Sequence, residues 1–154
     1  MGYERLKNLE KEEKYVFHGS GEKIEEFEPR QAHTIINGEH VPDGKPAIFA
    51  SPVADYAFFM AIVNKVNCPD GVRSGTSWSD QKIEFKATQK TLDQLNKDSA
   101  GYVYIFKRAD FEARNSHEWV SHANVKPIEV IEVRWSDFPQ KITVIPDEES
   151  EERR

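Results

Sequence analysis

Cysteine is almost missing: Cys68 stands alone in 154 residues. No intramolecular disulfide can form, and a cysteine-rich zinc site is excluded. That scarcity fits a cytoplasmic protein, although it leaves a secreted effector open. Long apolar runs are lacking too, since no stretch approaches the roughly 18 uninterrupted apolar residues of a membrane-spanning helix. The opening MGYERLKNLEKEEK is charged rather than signal-like, and Leu6 stands where a myristoylation signal requires Ser or Thr. A soluble chain with no membrane partner is expected. Lys and Arg, 21 together, fall short of the 27 Asp and Glu, and the net charge of −6 argues against a broad nucleic-acid footprint. Much of the excess acid is local, in EKIEEFE and the tail DEESEERR, so a basic cleft elsewhere is still allowed. His33 and His40 have no metal-ligand spacing with Cys68, and no metal site is expected.

What is present can fill one core: nine Phe, five Tyr and three Trp in a chain of ordinary single-domain length. Residues 1–14, with Leu6 and Leu9 among charges, read as an N-terminal arm or short helix. Residues 15–146 read as the folded domain and 147–154 as an acidic, disordered tail. Tyr15-Val16-Phe17 predicts a strand that stops at His18-Gly19-Ser20-Gly21, where two glycines allow a tight turn and close backbone approach to a ligand. The span 29–46, with three prolines, reads as a long polar excursion. Residues 47–50 follow as a buried strand. Ser51 and Pro52 then read as the N-cap and first residue of a helix reaching Val66. That helix is apolar on nearly every face, which predicts packing on more than one side. Residues 67–81 read as a loop and 91–97 as a short helix. Period-two alternation predicts a strand over 82–88, with further strands at 102–107, 118–121, 129–135 and 141–145. Strand, loop, strand, helix and then mostly strands give an α+β domain.

Three segments carry the chemistry. Phe17-His18-Gly19-Ser20 ends the first strand. Ile48-Phe49-Ala50 leads into the helix holding Tyr56-Ala57-Phe58-Phe59. Glu118-Trp119-Val120 opens a later strand. In this order they resemble the catalytic core of ADP-ribosyltransferases, in particular the branch of diphtheria toxin and the poly(ADP-ribose) polymerases. The resemblance spans roughly residues 15–135. It implies a split β-sheet with a few flanking helices, NAD as the substrate, and mono-ADP-ribosyl transfer to an acceptor that is a protein, a nucleic acid or a small molecule. In that family the motif histidine bonds the adenine-side ribose and the next glycine holds the nicotinamide carboxamide through its backbone. Those roles fall on His18 and Gly19, with Ser20 completing the motif. Breaking the nicotinamide–ribose bond develops an oxocarbenium-like charge, which a preorganised carboxylate stabilises, and Glu118 matches the family's catalytic glutamate. Phe59 falls where a second stacking aromatic belongs, and Tyr56 where many members have a serine that bonds the carboxamide. Arg30 is a candidate fork for the pyrophosphate.

The pattern departs from the family at Ile48, where a tyrosine would stack on nicotinamide; Phe49 is its neighbour. Isoleucine packs against a ring without offering a π face. Ser116 precedes Glu118 by two residues, where arginine-specific members carry Glu or Gln, which argues against arginine as acceptor. Taken singly, Glu118 reads as a surface acid, His18 as a turn cap and Phe58 as helix core; their order favours the site. His117-Glu118-Trp119-Val120-Ser121-His122 lacks the second histidine of a zincin helix, since Ser121 occupies that place. Gly19-Ser20-Gly21 is too short for a nucleophile elbow. The 2′-phosphotransferase branch of the same fold would need a basic cluster that the motifs lack. The alternative is a non-catalytic binder of NAD or ADP-ribose on the same fold, which Ile48 favours.

Overall fold

A computed structural model describes residues 2–36, 39–79 and 82–146, so the acidic tail lies outside it. In chain order the elements are α1 (Gly2–Glu12), β1 (Tyr15–Ser20), β2 (Arg30–Ile36), β3 (Glu39–Ala50), α2 (Ala54–Ile62), β4 (Ser74–Ser79), β5 (Lys82–Thr88), α3 (Gln89–Leu92), β6 (Ala100–Lys107), β7 (Glu112–Ala113), β8 (Trp119–Ser121), β9 (Glu129–Arg134) and β10 (Ile142–Ile145). Among the described residues the strands form three small sheets. One is antiparallel in the order β1-β6-β9 and a second is antiparallel in the order β2-β3-β8-β7. The third, β10-β5-β4, joins β10 to β5 in parallel and β4 to β5 antiparallel. The architecture is α+β. None of the described helices is long and apolar enough to cross a membrane.

The apolar helix α2 is the centre of the packing. Seven of its nine residues are buried, with Phe58, Phe59, Ala61 and Ile62 fully so. One side lies directly on the first sheet. A Cβ added at Gly19 of β1 would come within 1.9 Å of the Ala57 carbonyl oxygen, and one at Gly101 of β6 within 1.9 Å of the Ala61 oxygen. Only glycine lets strand and helix backbones approach this closely. The other side meets Phe85 of the third sheet, with the Phe59 and Phe85 ring centroids 5.0 Å apart, and Phe138 of the segment between β9 and β10, 5.2 Å from Phe58. Burial of each such side chain contributes about 1.5–3 kcal/mol.

The start of α2 differs from the sequence expectation. Its N-cap residue is Val53, which makes no side-chain cap bond, and Ser51 instead accepts from the Val53 amide through Oγ at 3.1 Å. The cap comes from α1, where Glu10 Oε2 accepts the Ala54 amide at 2.8 Å. Leu6 and Leu9, buried one helical turn apart, seat α1 on the same core. Residues 63–66 leave the helix, which ends at Ile62.

Two spans read as loops are strands. Most of 29–46 forms a long hairpin of β2 against β3, with Pro42 opposite His33. Proline is tolerated here because, among the described residues, that stretch of β3 pairs on one side, with β2, and an edge strand accommodates a residue with no N–H. Residues 74–79, inside the expected loop 67–81, form β4 along β5. The short helix α3 is Gln89–Leu92 and not 91–97: it begins earlier because Thr88 caps it, its Oγ1 accepting the Thr91 amide at 3.2 Å, and residues 93–97 are not helical.

Candidate functional site

Strands β1 and β3 belong to different sheets and meet at one antiparallel bridge, Phe17 opposite Ser51. Both bonds of that pair form, at 2.7 and 2.8 Å. A continued ladder would next join Gly19 to Phe49, and among the described residues no backbone bond does so. The Phe49 carbonyl instead accepts from His18 Nδ1 at 2.7 Å. Backbone groups two residues apart along a strand point the same way, so the N–H and C=O of Gly19 face this opening as those of Phe17 face Ser51. The gap between the sheets widens on both sides of His18 into two clefts.

The smaller cleft, 220 Å³, is lined from β1 by Phe17, His18 and Gly19, from β3 by Phe49 and Ala50, and by Ser51 just after β3. Tyr56, Ala57 and Met60 come from α2, Trp78 from β4, and His117 and Glu118 from the turn before β8. The larger, 350 Å³, has His18 and Ser20 on one side and Ala47, Ile48 and Phe49 on the other, with Arg30 and the 22–28 segment closing it. That segment is tied to β6, since the Tyr104 hydroxyl accepts from the Ile24 amide at 2.6 Å and donates to the Glu22 carbonyl at 2.7 Å. His18 and Phe49 are common to both clefts.

His18 is half-buried, its ring edge-on to Phe27 at 5.0 Å. Burial lowers its pKa below the ordinary histidine value; the bond to the Phe49 carbonyl opposes this and the nearby Arg30 guanidinium adds to it. The imidazole is therefore held neutral. A carbonyl only accepts, so Nδ1 carries the proton and Nε2 is left as an acceptor for a ligand hydroxyl. The Tyr56 hydroxyl has its pKa raised by burial and then by the Glu118 charge, so it stays a neutral donor beside that carboxylate. Glu118 is half-buried, and its carbonyl closes the turn by accepting the amides of Arg114 at 2.8 Å and Asn115 at 3.1 Å. Its Oε1 lies 3.9 Å from Arg114 Nη1, and the same guanidinium sits 5.9 Å from the centre of the Phe49 ring.

Of the residues singled out from sequence, His18, Gly19, Phe49, Tyr56 and Glu118 come together in the smaller cleft, and Ser20, Arg30 and Ile48 line the larger one. Ile48 is 4% exposed among Val16, Phe27, Tyr104 and Phe106, so it is also a core residue. The aromatic face that β3 offers to the smaller cleft belongs to Phe49. Phe59 is fully buried against Phe85 and Phe138 and is not among the residues lining either cleft. Gly19 has a packing role as well, against α2. Sequence reasoning missed Trp78 and His117, which stack at 3.9 Å with 12° between their planes, Trp78 also meeting Tyr56 edge-on at 5.4 Å. A lone Trp in a Ser-rich stretch gave no period to read.

The site combines aromatic walls, a backbone donor and acceptor side by side, a neutral imidazole acceptor and a carboxylate. Such a set can pack a flat ring, exchange hydrogen bonds with a polar ligand and oppose a positive charge. No group of His, Cys, Asp and Glu among the described residues could hold a metal ion. No family model, no curated protein and no solved structure matches the chain.

Proposed function

We propose that this protein is an NAD-dependent ADP-ribosyltransferase, which cleaves the nicotinamide–ribose bond and passes ADP-ribose to an acceptor. The observation that carries the reading is the convergence of His18, Gly19, Tyr56 and Glu118, from three distant parts of the chain, on one cleft at the split between two sheets. In this reading nicotinamide enters the smaller cleft, its carboxamide exchanging bonds with the N–H and C=O of Gly19 and its ring lying between Phe49 and Tyr56. His18 Nε2 accepts from a ribose hydroxyl. The pyrophosphate passes toward Arg30, and adenosine occupies the larger cleft.

As the C1′–N bond breaks, its electron pair leaves with nicotinamide and positive charge spreads over C1′ and the ring oxygen. The Glu118 carboxylate supplies the opposing charge there, and the acceptor's nucleophile attacks C1′ and loses its proton. Incubating the protein with NAD and quantifying free nicotinamide by chromatography tests this directly: steady release is expected.

A non-catalytic binder of NAD or ADP-ribose is the second reading. It is favoured by Glu118 itself, whose carboxylate has no hydrogen bond among the described residues and only a 3.9 Å approach from Arg114. Calorimetric binding of NAD with no nicotinamide released would select it.

A further inference from the structure

We propose that Trp78 and His117 form a clamp that holds Glu118 in its working position, Trp78 acting as a positioning residue through His117. The proposal deepens the transferase reading and rests on it for its catalytic meaning. Glu118 occupies a turn, not a strand, and its own carboxylate is not fixed by a hydrogen bond among the described residues. What orders it must come through the turn. Inside the turn, the Glu118 carbonyl takes the amides of Arg114 and Asn115, and Asn115 Oδ1 takes the His117 amide at 3.0 Å. From outside, the His117 ring is stacked face to face on Trp78 at 3.9 Å.

Trp78 is itself oriented from two directions. Its indole N–H donates to Thr76 Oγ1 at 3.0 Å, and its ring meets Tyr56 edge-on. Strand β4 belongs to the β10-β5-β4 sheet, whereas the Glu118 turn feeds β8 in a different sheet. Among the described residues no strand pairing joins those two sheets, so the stack couples the turn to a framework that the turn's own sheet does not provide. Tyr56, from α2, lines the same cleft. A carboxylate that must meet a charge developing at one carbon needs this order beforehand.

The test pairs amide hydrogen exchange across 114–118 with nicotinamide release, in W78A, W78F, H117A, H117F and H117N. Loss of the stack in W78A or H117A speeds exchange at Arg114, Asn115 and His117. It lowers kcat by about 10- to 100-fold, the usual consequence of a small misplacement of a reacting group, while KM for NAD changes much less. H117F and W78F, which keep a flat ring, recover most of the order and turnover. H117N, which keeps a polar nitrogen but no stack, behaves as H117A. The W78A/H117A double variant is no worse than either single one. Unchanged exchange across 114–118 in both W78A and H117A overturns the clamp, as does rescue by H117N and not by H117F. Absence of nicotinamide release from the unmodified protein overturns the transferase reading, and the exchange result still decides the clamp.

Discussion

The neutral state of His18 sets a condition on binding. With Nδ1–H committed to the Phe49 carbonyl, protonation of Nε2 would convert the ligand's acceptor into a donor. Because burial holds the His18 pKa below 6.5, the acceptor is intact at neutral pH and persists somewhat below the point where a free histidine would charge. NAD affinity is therefore expected to be flat above pH 6.5 and to fall at lower pH, with a midpoint below that of ordinary histidine. Calorimetry across pH checks this, and a midpoint above the ordinary value would contradict it. In His18→Ala the low-pH fall should disappear and affinity should drop by about 1–3 kcal/mol, the cost of a buried polar partner left unpaired. At this scale residue type and position singled out His18 and Glu118 in the sequence, and both line the smaller cleft. The sequence could not say which way Ile48 and Phe49 point. That depends on the alternation of β3, and Ile48 goes into the core with Val16 of β1 and Tyr104 and Phe106 of β6 while Phe49 faces the smaller cleft.

At the scale of elements, α2 carries Tyr56 and lies against Gly19, so its seating sets the geometry of the cleft. Its first turn is held by α1 through Glu10, with Lys7 reaching both Glu10 at 2.7 Å and the buried Asp55 at 3.8 Å. Glu10→Ala should cost about 1 kcal/mol in urea denaturation, a typical cap loss, and Glu10→Gln, which keeps an acceptor, should cost less. Equal stability of Glu10→Ala and the unmodified protein would show that the cap is dispensable. This cap is invisible in sequence because donor and acceptor lie 44 residues apart; the local signal, Ser51-Pro52, pointed to a different cap. The strand β5 was legible because KIEFKAT alternates between exposed and buried positions. Strand β4, with the sequence SGTSWS and no fully buried side chain, has no such alternation and is specified by pairing with β5. The prolines of β3 hid the hairpin for the same reason that it tolerates them: its backbone there needs no donor on the outer edge.

Across the whole molecule, the proposed function requires the two clefts to divide NAD between them by charge. The larger one is bordered by the exposed carboxylates of Glu22, Glu26 and Glu28 with Arg30 as the nearby cation, an arrangement suited to a neutral adenosine. A 2′-phosphate there would meet like charge, so NAD should bind at least about tenfold more tightly than NADP at low salt, the gap closing as salt screens exposed groups. Competition calorimetry that finds NADP equal or better would remove adenosine from that cleft. The α+β class was legible from the order of patterned segments, whereas the opening between β1 and β3 was not, because it arises where a ladder stops at Phe17–Ser51 and His18 takes the next carbonyl. The central claim concerns Glu118, whose charge is assigned to the transition state and not to the bound substrate. The measurement that tests it most directly compares nicotinamide release and NAD affinity in the unmodified protein and in Glu118→Gln, which preserves size and an acceptor oxygen. The account predicts nearly equal affinity and a fall in release of about 10² to 10³, as for loss of one preorganised electrostatic group. Release that is unchanged in Glu118→Gln would contradict it.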